Sequence, residues 1–302
     1  MKNLIVDGLS GSGKWVIARL CCSLKGVNYV SIPEGLEILV INNFLYPNKN
    51  FKSAFETYIR QYNYNKYIGR DVNLRKSDHT YSGIYPFPKL SGVSKRNEKD
   101  YSYNTDKNGI AIIETHGGFQ CGLAEYLKYF KKSIFVCTVK RDLDDIIHKW
   151  VNYVDRYGTD LSERTLTINY KNKTLPWFVF GFEEEYLSSK TSLEKVSVIF
   201  YAFHKFNKKA SEINNSNILE IDFNDFVLNP MINLKKISAM MGGIEIDDKA
   251  YKFLCKELDV PRVSRWKNKG YWKLDGNFNF DKEFSLMRDD YQNKFKVVIK
   301  DF

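Results

Sequence analysis

The sequence predicts an α/β protein whose doubly wound, mainly parallel sheet of about five strands is flanked by helices. Three observations support this class. Short apolar runs typical of buried strands alternate along the chain with helical patterns, as they do in βαβ units. A glycine-rich turn follows the first apolar run directly, and polar residues follow two later runs. Because the carboxyl ends of parallel strands meet at one edge of a sheet, these turns are expected to share a ligand site there.

The first strand and helix come from the N-terminal residues 1–24. The apolar run 4–6 predicts a short buried strand, and the apolar residues of 15–24 predict the helix that follows it. Between them lies the glycine-rich turn of the stretch VDGLSGSGKWVI, residues 6–17. A strand, such a turn and a helix in direct succession form the local structure in which a helix N-terminus binds phosphate.

This turn matches most of the phosphate-binding P-loop pattern G-x-x-x-x-G-K-[ST]. Gly8 and Gly13 are its two glycines, and Lys14 is its lysine. The glycines let successive backbone N–H groups converge on phosphate oxygens, and the lysine adds positive charge. Trp15 stands where the pattern has the hydroxyl that binds Mg²⁺. The start of the chain is therefore P-loop NTPase-like, but it lacks that metal ligand.

The remaining elements follow from the same patterns. Strands are predicted at 27–32, 109–114, 133–139 and 217–222, and helices at 50–68, 122–130, 142–156 and 193–214. Pro33 and Gly35 indicate a loop after the second strand. Residues 70–108 are polar and show no periodicity, which predicts a long loop. The chain is predicted to be a single domain, residues 1–302, with long insertions near 45–108 and 158–190.

Charge and composition narrow the class of partner. Lys and Arg outnumber Asp and Glu, which gives a net charge of +10. Such a surface attracts anions, so the candidate partners are a nucleotide, an acidic glycan, nucleic acid or a membrane face. The cysteines include no C-x-x-C pair, which predicts reduced thiols in a cytoplasmic protein; they are Cys21, Cys22, Cys121, Cys137 and Cys255. Neither a signal peptide nor stable membrane insertion is expected.

A basic pair is predicted at the carboxyl end of the strand 133–139. Arg141 closes this strand and opens the next helix, and Lys149 follows later on that helix. At 3.6 residues per turn, the two positions lie only about 80° apart around the helix. Both side chains are therefore candidates to bind one phosphate, although a solvated charged face also explains Lys149.

Motifs along the chain resemble, in the same order, those of the sulfotransferases that use 3′-phosphoadenosine 5′-phosphosulfate. They are SGKW at 12–15, ETH at 114–116, RDLDD at 141–145, FND at 223–225 with Pro230, and GYWK at 270–273. The family motifs are P-K-S-G-T-T, K-T-H, R-[DN]-P-x-D, Y-E-D-x-x-x-x-P and G-D-W-K. The resemblance spans nearly the whole chain and implies transfer of a sulfuryl group from this donor to an acceptor hydroxyl. It also implies that no metal is required, which accounts for Trp15.

The resemblance further implies contacts to the donor from three parts of the chain. The turn after the first strand would hold the 5′-phosphate, the basic pair would hold the 3′-phosphate, and a basic C-terminal loop would cover that phosphate. The residues implied are Gly11, Ser12, Gly13, Lys14, Trp15, Arg141, Lys149, Phe223, Arg265, Lys267 and Lys269. Trp15 and Phe223 are placed near the adenine, although core packing explains Trp15 equally well.

Three residues are implied in catalysis. His116 matches the family's catalytic base, and histidine is suited to that task near neutral pH. Lys14 would neutralise the charge that develops on the bridging oxygen as the sulfuryl group leaves. Glu114 replaces the lysine of K-T-H and is the alternative base, as carboxylates are in some glycan sulfotransferases. Gly11 stands at the position of the family's loop lysine, so either Lys14 substitutes for it or the donor is held differently.

Two other functions remain open from the sequence. A Mg-ATP-dependent P-loop kinase for a small molecule would place Lys14 on the β- and γ-phosphates and use Glu114 or Asp142 for the metal. A non-catalytic glycan or nucleic-acid binder would use the +10 charge alone. Under the sulfotransferase interpretation the partner is a hydroxyl-bearing acceptor, with a saccharide as one candidate, and no nucleic acid is expected. The two insertions are expected to recognise this acceptor.

Overall fold

The chain folds around one parallel sheet. The structure is a computed structural model and describes residues 1–67, 109–156, 165–212 and 216–260, apart from several positions between 118 and 131. The strands are β1 Lys2–Asp7, β2 Val27–Ser31, β3 Ile110–Glu114, β4 Ile134–Lys140, β5 Thr167–Tyr170, β6 Lys173–Pro176 and β7 Ile218–Asp222. Five of them form the central sheet in the order β2-β3-β1-β4-β7, with every neighbouring pair parallel. The predicted parallel sheet is confirmed.

Helices flank this sheet, and a small hairpin lies apart from it. The helices are α1 Lys14–Cys21, α2 Glu34–Leu45, α3 Phe51–Tyr67, α4 Leu143–Arg156, α5 Glu183–Ser188, α6 Ser192–Ser211, α7 Phe223–Leu228, α8 Pro230–Met240 and α9 Asp248–Glu257. The strands β5 and β6 form a separate antiparallel hairpin.

Both faces of the sheet are covered because alternate strand residues point to opposite sides. Leu4 and Val6 of β1 belong to one apolar cluster with α1 and α8, whereas Ile5 packs with α2 and α3 on the other face. A third apolar cluster joins α4, α6 and the hairpin. Burial on both faces explains why the central strands β1, β3 and β4 are apolar runs without alternation. The α/β, doubly wound class predicted from the sequence is therefore confirmed.

The strand order fixes where a ligand crevice opens. From β1 the chain continues to β2, which lies on one side of β1 with β3 between them. From β4 it continues to β7, which lies on the other side of the sheet. The connections that follow β1 and β4 therefore run to opposite sides of the sheet. In sheets of this type, ligands bind in the crevice between the carboxyl ends of two such neighbouring strands. The turn 8–13 follows β1, and Arg141 follows β4. Both therefore lie at this crevice.

Two stretches differ from the sequence-based expectation. Pro33 and Gly35 lie at the start of a helix, because Pro33 is the N-cap of α2. Proline suits a helix start, where an N–H would lack an acceptor in any case. The described part of the predicted insertion 158–190 contains the hairpin, a 3₁₀ turn at Trp177–Val179 and α5, and its apolar side chains enter the third cluster. The predicted loop 70–108 lies outside the described residues.

The described cysteines are free thiols. Cys21, Cys22 and Cys137 are buried, and burial raises the pKa of Cys22 and of Cys137 to about 12. Thiols that are so weakly acidic stay protonated and are poor nucleophiles. Within the described ranges, none of the helices combines the length and apolar composition that crossing a bilayer requires.

Candidate active site

The turn between β1 and α1 has a backbone that requires glycine. Gly11 and Gly13 adopt φ angles of 93° and 86°, in the left-handed region that other residues avoid. Gly13 is also the N-cap of α1 and offers no capping side chain to the first turn. A Cβ at Gly13 would lie 2.1 Å from Cε2 of Phe223. The turn therefore rests directly on that buried ring.

Two side chains inside this turn fit an anion. The first N–H groups of a helix have no intrahelical acceptor and attract negative charge. Beside them, Ser12 is buried, and its Oγ has no hydrogen-bond partner among the described residues. Lys14 is buried as well, with 5% of its surface exposed. A phosphate group would satisfy both side chains, and backbone amides would complete its ligands.

The outer wall of the turn comes from β4 and α4. The indole Nε1 of Trp150 donates a hydrogen bond to the Ser10 carbonyl at 2.9 Å, and Nη1 of Arg141 donates to the Gly11 carbonyl at 3.3 Å. The Cδ of Lys149 lies 3.3 Å from the place where a Cβ of Gly11 would stand. These contacts fix the backbone of the turn, and they bring Arg141 and Lys149 together at Gly11.

Arg141 is held in one plane by its neighbours. Its guanidinium carbon lies 4.7 Å from the centre of the Phe223 ring. Its Nε donates to Oδ2 of Asp145 at 3.2 Å, and only 11% of the Arg141 side chain is exposed. Phe223 itself is fully buried. Phe223 therefore supports both the guanidinium of Arg141 and the backbone of Gly13.

Lys14 lies against a carboxylate from the neighbouring strand. Its Nζ is 4.0 Å from Oε1 of Glu114, and both side chains are buried. Burial lowers the pKa of Lys14, and the negative charges of Glu114, Asp7 and Glu37 oppose this lowering. Glu114 is thus the counter-ion of the loop lysine. The carboxylate that replaces the lysine of K-T-H is therefore buried at the end of β3.

Residues 115–117, which follow β3, form a tip that is hydrogen-bonded to the end of β1. Oδ1 of Asp7 accepts hydrogen bonds from Thr115 Oγ1 at 2.8 Å and from the Gly117 N–H at 2.7 Å. A Cβ at Gly117 would lie 3.3 Å from the carbonyl carbon of Gly8. Asp7 is completely buried. This single carboxylate therefore joins the two strand ends into one unit.

His116 projects from this tip and has a partner on α2. Its backbone N–H donates to Oε1 of Glu37 at 2.9 Å, and its Nδ1 lies 2.9 Å from Oε2 of the same carboxylate. The His116 side chain is 47% exposed, and the Glu37 side chain is 13% exposed. The ring is consequently held on one edge while the rest of it is open to a ligand.

The sequence-based site residues thus separate into two groups. The described ones meet around the turn and the tip, at the carboxyl ends of β1, β3 and β4; they are Gly11, Ser12, Gly13, Lys14, Trp15, Glu114, His116, Arg141 and Lys149, with Phe223 beneath. Trp15 keeps 39% of its surface exposed, which does not fit core packing. The remaining three, Arg265, Lys267 and Lys269, lie outside the described residues.

Sequence reasoning missed four residues that shape this site. They are Asp7, Glu37, Asp145 and Trp150. A buried acidic residue at the end of a strand was a usable signal for Asp7, because such a charge needs partners. Asp142, one of the two carboxylates that a kinase would use for the metal, accepts a hydrogen bond from the Asp144 N–H at the start of α4.

Comparison with known proteins gives likeness of structure only. No family model matches the chain, and no curated protein matches it. Among solved structures, the chain is similar to a sulfotransferase from Mycobacterium tuberculosis, with 10% identity, a TM-score of 0.42, and coverage of 98% of this chain and 77% of that one. It is also similar to the sulfotransferase domain of a Synechococcus olefin synthase, with 10% identity, a TM-score of 0.45, and coverage of 96% and 94%. A mouse sulfotransferase in complex with PAP is similar at 11% identity and a TM-score of 0.39, with coverage of 97% and 84%.

Proposed function

We propose that this chain is a sulfotransferase that moves a sulfuryl group from 3′-phosphoadenosine 5′-phosphosulfate to an acceptor hydroxyl. One observation carries the proposal. A turn that fits an anion, with buried Ser12 and Lys14, is joined through Asp7 to a tip that presents an exposed histidine. An anion-binding turn and a proton acceptor at adjacent strand ends are the two parts that in-line transfer to a hydroxyl requires.

The turn would bind the 5′-phosphate of the donor. Its backbone amides and the Ser12 hydroxyl would donate to the phosphate oxygens, at the positive end of α1. Lys14 would lie beside the oxygen that bridges phosphorus and sulfur. Burial lowers the pKa of Lys14 and so disfavours its charged form. A bound anion next to Lys14 would act in the opposite direction and favour the charged form. The positive charge would then stabilise the leaving phosphate as the sulfur–oxygen bond breaks.

His116 would act as the general base. The acceptor oxygen attacks sulfur, a new sulfur–oxygen bond forms, and the bond from sulfur to the bridging oxygen breaks. The hydroxyl proton passes to Nε2 of His116, and the electron pair of the broken bond leaves with 3′-phosphoadenosine 5′-phosphate. The exposed ring of His116 is accessible to such an acceptor, whereas buried Glu114 is engaged with Lys14. His116 is therefore our choice of base over Glu114.

Arg141 and Lys149 would bind the 3′-phosphate. Both lie at Gly11, so a second phosphate near the outside of the turn would meet two cations. Trp15, at the start of α1 and partly exposed, would offer a flat apolar surface to the adenine. The acceptor class that we favour is a hydroxyl-bearing ring compound such as a saccharide, because the chain is rich in Tyr and Lys.

Calorimetric titration tests this proposal. The protein is titrated with 3′-phosphoadenosine 5′-phosphate and with ATP, each with and without Mg²⁺. We expect the bisphosphate to bind without Mg²⁺ and to bind about 10- to 100-fold more weakly to Arg141→Ala. Arg60→Ala is the matched control, because Arg60 is an exposed arginine on α3 that pairs with Glu56. Binding of ATP only in the presence of Mg²⁺ would instead support a kinase and overturn the proposal.

A further inference from the structure

We propose that Glu37 is a positioning residue that orients His116 and fixes its tautomer. The two side chains would then act as a carboxylate–imidazole pair in which only His116 touches the acceptor. The kinetic consequence rests on the function proposed above, whereas the effect on the tautomer of His116 does not. Sequence patterns and the resemblance to known sulfotransferases assigned no role to Glu37.

The geometry that carries this inference is a contact at two points. One oxygen of Glu37 accepts from the backbone N–H of His116 at 2.9 Å, and the other lies 2.9 Å from Nδ1 of its ring. A single carboxylate therefore fixes both the main chain of the tip and the rotation of the imidazole. Glu37 is 13% exposed, so water competes only weakly for these contacts.

The contact to Nδ1 also decides where the ring proton lies. An ionised carboxylate can only accept hydrogen bonds, so Nδ1 must carry the hydrogen and Nε2 keeps its lone pair. Nε2 is the atom that must take up the proton from the hydroxyl group of the substrate. After the transfer both nitrogens are protonated, and the negative charge of Glu37 stabilises the imidazolium that results. The carboxylate thus favours both the correct starting tautomer and the product of proton transfer.

The position of Glu37 near the start of α2 favours the negative charge that this role requires. It lies in the first turn of that helix, where its backbone N–H reaches the carbonyl of Pro33 at 3.4 Å. A negative charge near a helix N-terminus is stabilised by the helix dipole. Glu37 also lies near enough to Lys14 to oppose the lowering of that lysine's pKa by burial.

The discriminating variant is Glu37→Gln, which keeps the size of the side chain. Its amide oxygen can still accept from the His116 N–H, but its amide nitrogen donates to Nδ1. The ring must then accept at Nδ1 and carry its hydrogen on Nε2, which is the wrong tautomer for a base. Glu56→Gln is the matched control, because Glu56 is a glutamate on α3 that pairs with Arg60.

The first readout is independent of the reaction. Nitrogen-15 NMR of the full chain reports the tautomer of each histidine ring, and the variant His116→Asn identifies the resonances of His116. We expect the Nδ1–H tautomer in the wild type and in Glu56→Gln, and the Nε2–H tautomer in Glu37→Gln. An unchanged Nδ1–H signature in Glu37→Gln would overturn the proposal. A thermal unfolding curve for each variant confirms that the comparison is made on folded protein.

The second readout is kinetic. In Glu37→Gln we expect kcat to fall by about 10²- to 10⁴-fold, while the affinity for 3′-phosphoadenosine 5′-phosphate changes far less than kcat. A normal kcat in Glu37→Gln, together with a lost kcat in His116→Asn, would overturn the role of Glu37 and leave the proposed function intact. Conversely, a tautomer switch in a protein that does not bind the bisphosphate would support the pair and overturn the proposed function.

Discussion

The ring of Phe223 lies against the backbone of Gly13, close enough that a Cβ on Gly13 would stand 2.1 Å from its Cε2. Gly13→Ala is therefore expected to lower the free energy of unfolding by about 3 kcal/mol, from the overlap with the ring and from the left-handed φ. Gly181→Ala is the control, because Gly181 has a similar φ of 80° but no atom within 4 Å of a Cβ. Urea unfolding should give a loss of only about 1 kcal/mol there. Equal losses in the two variants would refute a close contact at Gly13.

Trp150 holds the turn by a hydrogen bond to the Ser10 carbonyl. Trp150→Phe keeps an aromatic ring and removes the donor, so we expect a loss of about 1 kcal/mol in the free energy of unfolding. Binding of 3′-phosphoadenosine 5′-phosphate should weaken as well, because the turn loses an anchor. Trp177→Phe is the matched control, since Trp177 is a buried tryptophan of the same apolar cluster. The prediction fails if both variants bind the ligand equally well.

Asp222 ends β7 and caps α7 by accepting from the Asp225 N–H. Burial, together with the charges of Asp225 and Asp142, raises the pKa of Asp222 from 3.8 to about 6. Between these values the folded chain holds a proton that the unfolded chain has released, so this residue's contribution to stability falls as pH rises. Asp222→Asn keeps an oxygen for the cap. It should gain about 1 kcal/mol over the wild type at pH 7.5, after allowance for solvent screening, and only a small part of that gain at pH 4, near the lower end of this range.

The control for this prediction is another capping aspartate. Asp247 caps α9 by accepting from the Lys249 and Ala250 N–H groups. Asp247→Asn measures what an amide costs in place of a carboxylate at an N-cap. Chemical unfolding of both variants at pH 4 and pH 7.5 gives the comparison. A gain for Asp222→Asn that is the same at both pH values would contradict the raised pKa.

Lys14 gives a pH dependence of the opposite sign. Because burial lowers the pKa of Lys14 below 10.5, there is a pH range in which the unfolded chain holds a proton that the folded chain has lost. The free energy of unfolding therefore rises with pH across that range. At lower pH, Lys14 is charged in both states, and its burial lowers the free energy of unfolding by a constant amount. Lys14→Met should abolish this rise. The measurement is urea unfolding up to pH 10.5 in a Glu114→Gln background, which removes the ion-pair partner of Lys14 from both proteins that are compared.

Much of the fold could be predicted because its strands are buried on both faces. The apolar runs at β1, β3 and β4 can be recognised without knowing their partners in the sheet, and the glycine-rich turn indicates the first crossover. Helix α2 was missed because its apolar residues lie on all sides of the helix and so give no helical periodicity. Pro33 and Gly35 are also usually loop signals. The twelve residues of α2 are too long for a typical strand, and this was the available clue.

The site itself was only partly predictable. Residues of the turn carry a local pattern, and so do His116 and Arg141 at the ends of strands. Glu37 and Trp150 carry none, because their roles are contacts to His116 and Ser10, which lie far away in the chain. The pairing of Lys14 with Glu114 likewise depends on the register of β1 beside β3. Such relationships arise only when the sheet is assembled.

The support of Gly13 by Phe223 also sets an order of events during protein synthesis. A ribosome that adds about 5 to 20 residues per second needs roughly 10 to 40 s to pass from the turn to that ring. Until then, a nascent chain carries the glycine-rich segment without the aromatic ring beneath it and without the last strand of the sheet, β7. A translation product that ends before Phe223 therefore carries the glycine-rich turn without the ring that supports it.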